Sequence, residues 1–205
     1  MKNDSKLNYF TTLAKHAILF SLAIGLIVLS GCDSNEPDPD AGEQEVITDI
    51  IMTLTNETTG SVTSARAEFD EAGVLQSVET VSIQAGTTHS VSMEFLNEIE
   101  GDDITEEIEE EDEFHQLVYA VGGSAAARTT ITNRDTDGNG NPLGLSFTLT
   151  DTGATASSGT INVTLRHYEE DAQLPDDKVN DDGGSEIPGI VENDVDVTFP
   201  LSITV

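Results

Sequence analysis

The sequence predicts an all-β protein, an antiparallel β-sandwich of about nine strands with one short acidic helix. Three observations carry that expectation. Val195, Val197, Phe199, Leu201, Ile203 and Val205 alternate with Asp196, Thr198, Pro200, Ser202 and Thr204, a period-2 pattern that buries one face of a strand and wets the other. Runs rich in β-branched residues recur along the chain, each closed by a Gly, Asn or Asp turn. No alternation of strand and helix suggests a βαβ unit, and no internal repeat is visible.

The strands are read in order. Val46 to Asn56 is the first, and the turn-prone Asn56-Glu57-Thr58-Thr59-Gly60 folds it into a hairpin with Val62 to Phe69. Asp70-Glu71-Ala72-Gly73 turns the chain into a third strand, Val74 to Ile83, which Gln84-Ala85-Gly86 ends. Thr88 to Leu96 places Val91, Met93 and Phe95 on one face. Phe114 to Val121, Ala127 to Asn133, Leu145 to Thr150 and Thr160 to Tyr168 follow, and Val195 to Val205 is the ninth. Pro200 cannot donate to a ladder, so that strand is expected at a sheet edge or bulged there.

Glu98 to Glu113 interrupts the pattern with eleven acids in sixteen residues. Asp103 and Glu106 have capping-box spacing, with Asp in place of Ser or Thr. Ile104 and Ile108 lie one turn apart and could hold a helix to the body. Like charges at four-residue spacing oppose it. A marginal, salt-dependent helix of two or three turns is expected. Glu169 to Asn193 reads as a long acidic loop.

The front of the chain has a different character. Lys2, Lys6 and Lys15 precede the apolar run Ala17 to Leu29, and Ser30-Gly31-Cys32 follows. This is the layout of a secretory signal, and it is too short for a membrane-spanning helix of about 20 residues. Leu29-Ser30-Gly31-Cys32 resembles the lipobox of bacterial lipoproteins. That resemblance implies cleavage before Cys32, diacylglycerol on its sulfur and usually a further acyl chain, such as palmitate, on its new amine. The expected organisation is a signal peptide over 1–31, an acidic disordered tether over 32–45 and a β-sandwich domain over 46–205. The tether, with six acids and two prolines, lacks the apolar residues needed to order itself. Its acids beside Cys32 resemble the surface-export signals of Bacteroidetes lipoproteins, which implies an outer-membrane protein facing the exterior, with the periplasm as the alternative.

Cys32 is the only cysteine. Once it is lipidated no disulfide can form, so packing and sheet hydrogen bonds, with or without a metal, must hold the fold. After residue 31 the chain keeps 38 acids and five bases, Arg66, Arg128, Arg134, Arg166 and Lys178, a net charge of −33. Nucleic acid is excluded as a partner, because binding it relies on Lys and Arg. Anionic membrane surfaces are repelled too, so attachment to the membrane must come through the lipid. Such a charge points to a halophilic setting, a divalent-cation binder or a solvated coat.

Asp135-Thr136-Asp137-Gly138-Asn139-Gly140 matches the first half of a calcium loop, with oxygen ligands at alternate positions and a glycine at the sharp turn. Asp135, Asp137 and Asn139 are the candidate ligands. Ser146 stands where the bidentate acid would be, and a plain Asn-Gly hairpin turn would account for the same residues. His89, His115 and His167 fall on different predicted strands without local ligand spacing, and are read as separate strand histidines. No nucleophile elbow, phosphate-binding glycine loop or free cysteine is present. No tryptophan and few tyrosines are available for a sugar-stacking platform.

The stretches Ile104-Thr105-Glu106-Glu107-Ile108-Glu109-Glu110-Glu111, His115-Gln116, Asn139-Gly140-Asn141-Pro142-Leu143-Gly144-Leu145 and Val197-Thr198-Phe199-Pro200 resemble a group of uncharacterised acidic lipoproteins of Bacteroidetes and their relatives. Some members carry the label of a type 1 periplasmic-binding fold. The residues here argue against that label, which requires two α/β lobes and about twice this length. The resemblance brings no catalytic residues. The expected function is a lipid-anchored cell-envelope protein, binding or structural rather than enzymatic, with a protein or saccharide ligand unidentified. The alternatives are a substrate-binding lipoprotein of a periplasmic transport system, a calcium-dependent adhesion module, and a secreted hydrolase using scattered carboxylates.

Overall fold

The structure, a computed structural model, describes residues 46–168, 178 and 191–205. The signal, the lipidation site, the tether and nearly all of the acidic loop expected after Tyr168 lie outside them. The described residues include two sheets and a short helix. The larger sheet runs in the order β3 (Leu75–Val78), β2 (Val62–Phe69), β1 (Asp49–Asn56), β5 (Thr88–Asn97), β9 (Ser146–Asp151) and β8 (Thr129–Thr132), with the two-residue β6 (Asp102–Asp103) on β5. The smaller runs β4 (Val81–Gln84), β11 (Val191–Thr204), β10 (Ser157–Tyr168) and β7 (His115–Gly123).

Period-2 patterning accounts for the core. Ile50, Met52 and Leu54 of β1, Val91, Met93 and Phe95 of β5, and Phe147 and Leu149 of β9 are buried. They meet Leu117 of β7, Ile161, Val163 and Leu165 of β10, and Val195, Val197, Phe199, Leu201 and Ile203 of β11. Each such side chain contributes about 1.5–3 kcal/mol on full burial. The all-β sandwich expected from the sequence is therefore the fold, with three differences in detail.

The expected third strand is two strands. Leu75 is exposed while Val81 and Ile83 are buried, and the chain leaves one sheet for the other at Glu79-Thr80. The break is held by Arg66, whose N–H donates to the Glu79 carboxylate at 3.0 Å and whose carbonyl accepts from the Glu79 N–H at 2.8 Å. With β6, this makes eleven strands among the described residues. Second, β4 pairs with β11 in parallel, Leu201 opposite Val81 and Thr204 opposite Gln84, so the sandwich is not wholly antiparallel. Third, β11 is an interior strand. Pro200 is tolerated because β4 begins its pairing at Leu201, leaving the proline opposite Thr160 of β10 and free of any described neighbour on its other side.

The helix α1 spans Ile104–Glu110. Asp103 caps it, accepting from Thr105 N–H at 3.1 Å. Ile104 and Ile108 are buried, as their spacing predicts. Thr105 ties the first turn to β5, its hydroxyl accepting from Phe95 N–H at 2.9 Å. Two isoleucines and one cap hold two turns against acids on the remaining faces, with no basic residue in the last turn. The melting temperature should therefore rise strongly between 0.1 M and 1 M NaCl, as the Debye length shrinks from about 10 Å to about 3 Å, with residues 98–113 ordering last. Thermal scans with hydrogen exchange check this. A melting temperature flat across that range would contradict it.

Candidate functional site

The end of the smaller sheet carries a cluster of buried polar side chains. His115 of β7 and His167 of β10 are direct cross-strand partners, one step beyond the pair Leu117 and Leu165. Both imidazoles thus continue the core-facing stripe. Their ring centroids are 4.6 Å apart with an interplanar angle of 52°. His115 is fully buried and His167 is 7% exposed. The third member comes from a register break. Leu165 opposes Val195 while Arg166 opposes Asn193, so Asp194 is the extra residue of a β-bulge, a device that re-aims a side chain. Its carboxylate spans the two rings: Oδ2 lies 3.8 Å from His115 Nε2 and Oδ1 lies 3.8 Å from His167 Nδ1.

Glu111, the C-cap of α1, completes the group. Its backbone carbonyl, which can only accept, lies 3.2 Å from His115 Nδ1. The ring therefore donates through Nδ1, and Nε2 faces the Asp194 carboxylate. Donor atoms of Glu111, His115 and His167 all fall within 4.8 Å of one another. On the opposite face of the same strands, Tyr168 donates to Gln116 at 2.8 Å and Arg166 donates to Asn193 at 2.6 Å. These bonds hold the backbone under the histidines from behind.

The pairing of His115 with His167 corrects the reading of three separate histidines. Sequence spacing could not reveal it, because the residues are 52 apart and meet only through the β7–β10 register. Only His89 stands alone, on β5 of the larger sheet. It is buried, and its Nε2 lies 3.5 Å from Asn56 Nδ2. Burial pushes its pKa below the ordinary 6.5, with Glu57 pulling the other way.

The loop read as half a calcium site is placed next to this cluster by Asp112, whose carboxylate accepts from Gly138 N–H at 2.7 Å. Its acids turn inward. Asp135 accepts from Gly144 N–H at 2.7 Å. Asp137 accepts from the N–H groups of Asn139 and Asn141 at 2.9 and 2.8 Å with one oxygen, and from the Lys178 ammonium at 2.8 Å with the other. Asn139 is exposed. Lys178 also donates to the Asp112 carbonyl at 2.7 Å, and its side chain and that of Asp137 are both fully buried. The cation held at Asp137 is an ammonium, and a calcium ion there would have to displace it.

Comparison with family models, with curated proteins and with solved structures returned no match. Among the described residues no helix is long and apolar enough to cross a membrane.

Two predictions follow from these contacts. Lys178→Met leaves the Asp137 carboxylate buried without its cation, and should cost about 3–5 kcal/mol, read as a shift in urea midpoint. The second concerns acid. Burial raises the Asp137 carboxyl, but hydrogen bonds from Lys178 and Asn141 outweigh it and hold it below 3.8. Asp151 is held below the same value, chiefly by the Arg128 guanidinium. His89 is depressed below 6.5. All three bind fewer protons folded than unfolded, so each contributes stability at high pH that acid removes. Stability should decline from about pH 6.5 downward through His89, and again below about pH 3.8 through the two aspartates. Urea titrations across pH check this, and His89→Gln should remove its share of the upper decline while leaving the lower.

Proposed function

We propose that the chain is a lipid-anchored protein of the cell envelope, held at the outer membrane by Cys32 and facing the exterior, whose sandwich binds a ligand or partner without chemistry. The observation that carries this reading is Leu29-Ser30-Gly31-Cys32 directly behind a basic start and a short apolar run, with Cys32 the only cysteine. Two or three buried acyl chains anchor a protein stably. A body of net charge −33 is repelled by anionic headgroups, so the lipid must hold what the surface does not. The non-catalytic reading draws on the lack of any nucleophile motif in the sequence.

The binding role is supported by an open cleft of about 580 Å³ at one end of the sandwich, bordered by Val46, Ile47, Phe69, the Glu71-Ala72-Gly73 turn and Asn193 to Asp196. Its size lies within the usual range for small-molecule sites, about 300–1,000 Å³. That cleft also favours a second reading, a substrate-binding lipoprotein serving a transport system. A small solute should then raise the melting temperature of the purified protein, whereas a surface module should respond only to a macromolecular partner.

The anchor is tested by detergent phase partitioning. The wild-type protein should enter the detergent phase and Cys32→Ala should remain in the aqueous phase. Equal aqueous partitioning of both would overturn the reading.

A further inference from the structure

We infer that Glu111, His115, His167 and Asp194 form a binding site for a divalent transition metal of the zinc class, which clamps α1, β7, β10 and β11 together. The inference is independent of the lipid anchor, and holds whether or not Cys32 is acylated.

The geometry points first to donor atoms that converge on one point. His115 Nε2 and His167 Nδ1 each stand 3.8 Å from an Asp194 oxygen, longer than a hydrogen bond of about 2.7–3.2 Å. Two ligands on one tetrahedral zinc, at bond lengths of about 2.0–2.1 Å, stand about 3.3 Å apart. The observed separations are thus within about half an ångström of that spacing. The widest gap in the Glu111, His115 and His167 group, 4.8 Å, closes by about 1.5 Å of motion, which the longer Glu111 side chain can supply from its half-exposed position.

The second argument is orientation. The Glu111 carbonyl fixes the hydrogen of His115 on Nδ1 and turns Nε2 toward Asp194. A ligating histidine characteristically donates its other ring N–H to a carbonyl or carboxylate in this way, which sets its tautomer and raises its basicity.

The third is charge and donor type. Imidazoles that ligate a metal are neutral, and the two carboxylates match the charge of one divalent ion. That is the condition for keeping an ion among side chains as buried as His115 and Asp194, whose side chains are 0% and 1% exposed. Nitrogen donors suit zinc, cobalt, nickel or copper. Calcium and magnesium take oxygen ligands, calcium six to eight of them. Four protein donors fill a tetrahedron and leave no open position for substrate, as in structural zinc sites. A metal here would supply the cross-link that a chain with one cysteine cannot make by disulfide.

The test uses the full chain in detergent with 1 M NaCl, which suppresses diffuse attraction of cations to the acidic surface. Zinc is titrated by calorimetry, and cobalt is followed by its visible absorption, which is intense only in tetrahedral sites. One equivalent of zinc should bind with a rise in melting temperature that equal calcium does not produce, and cobalt should give the tetrahedral band. His115→Gln, His167→Gln and Asp194→Asn should each weaken zinc at least about 100-fold, the upper end of what a change outside the ligand shell costs. His89→Gln should bind as the wild type does. The proposal is overturned if the wild-type protein shows no tetrahedral cobalt band, a readout that needs no variant to fold. It is equally overturned if His167→Gln, folded by circular dichroism, binds zinc as tightly as the wild type.

Discussion

Thirty-eight acids and five bases follow residue 31, and the position of those five bases organises the domain. None is fully exposed. Arg66 joins β2 to Asp49 of β1 and to Glu98 beyond β5. Arg128 grips Asp151 with two 2.7 Å bonds, binding the entry of β8 to the end of β9, and the same carboxylate accepts the Gly86 N–H at 2.8 Å. Lys178 ties the end of α1 to the 135–144 loop. Arg166 reaches Asn193 across the bulge, and Arg134 reaches the Leu117 carbonyl. Each cation connects segments distant in sequence. A buried ion pair adds little net stability against an apolar substitute, because desolvation offsets the attraction. Its value here is selective: an acid placed elsewhere would find no cation left to meet it.

The complement of that economy is a surface of nearly one sign. Exposed strand edges invite pairing with another chain, and like charge is one of the means that discourage it. The outer edge of β3 offers Leu75 to solvent, yet Glu68, Glu71 and Glu79 lie on the segments around it. Stability and solubility therefore pull against each other through the same residues, and ionic strength sets the balance.

How much of this was legible depended on the range of the signal. Period-2 alternation is local, and it located β1, β5, β10 and β11 to within a few residues. The cap at Asp103 and the Ile104–Ile108 pair are local too, and α1 begins where they place it. The split of Val74 to Ile83 was hidden because Val78 and Val81 both look like strand residues, and only the hydrogen bonds of Arg66 to Glu79 show where the chain changes sheets. The parallel partner of β11 was invisible for the same reason. At the candidate site, His115 and His167 meet through a register that no spacing encodes, and Asp194 turns inward only because the ladder slips at Leu165. The Asp135-Thr136-Asp137 pattern was legible, but its cation was not, since Lys178 arrives from 41 residues away.

The pairing of β4 with β11 has a consequence for the order of events. It joins residues 81–84 to 201–204, across most of the domain, and β11 lies between β4 and β10 in the smaller sheet. Until the last strand is in place, that sheet lacks its middle, β4 has nothing to align with, and the core lacks the five apolar side chains of β11. Contacts between such distant parts of a chain form slowly. The smaller sheet therefore closes late, and the two halves of the sandwich core are completed together in that one step.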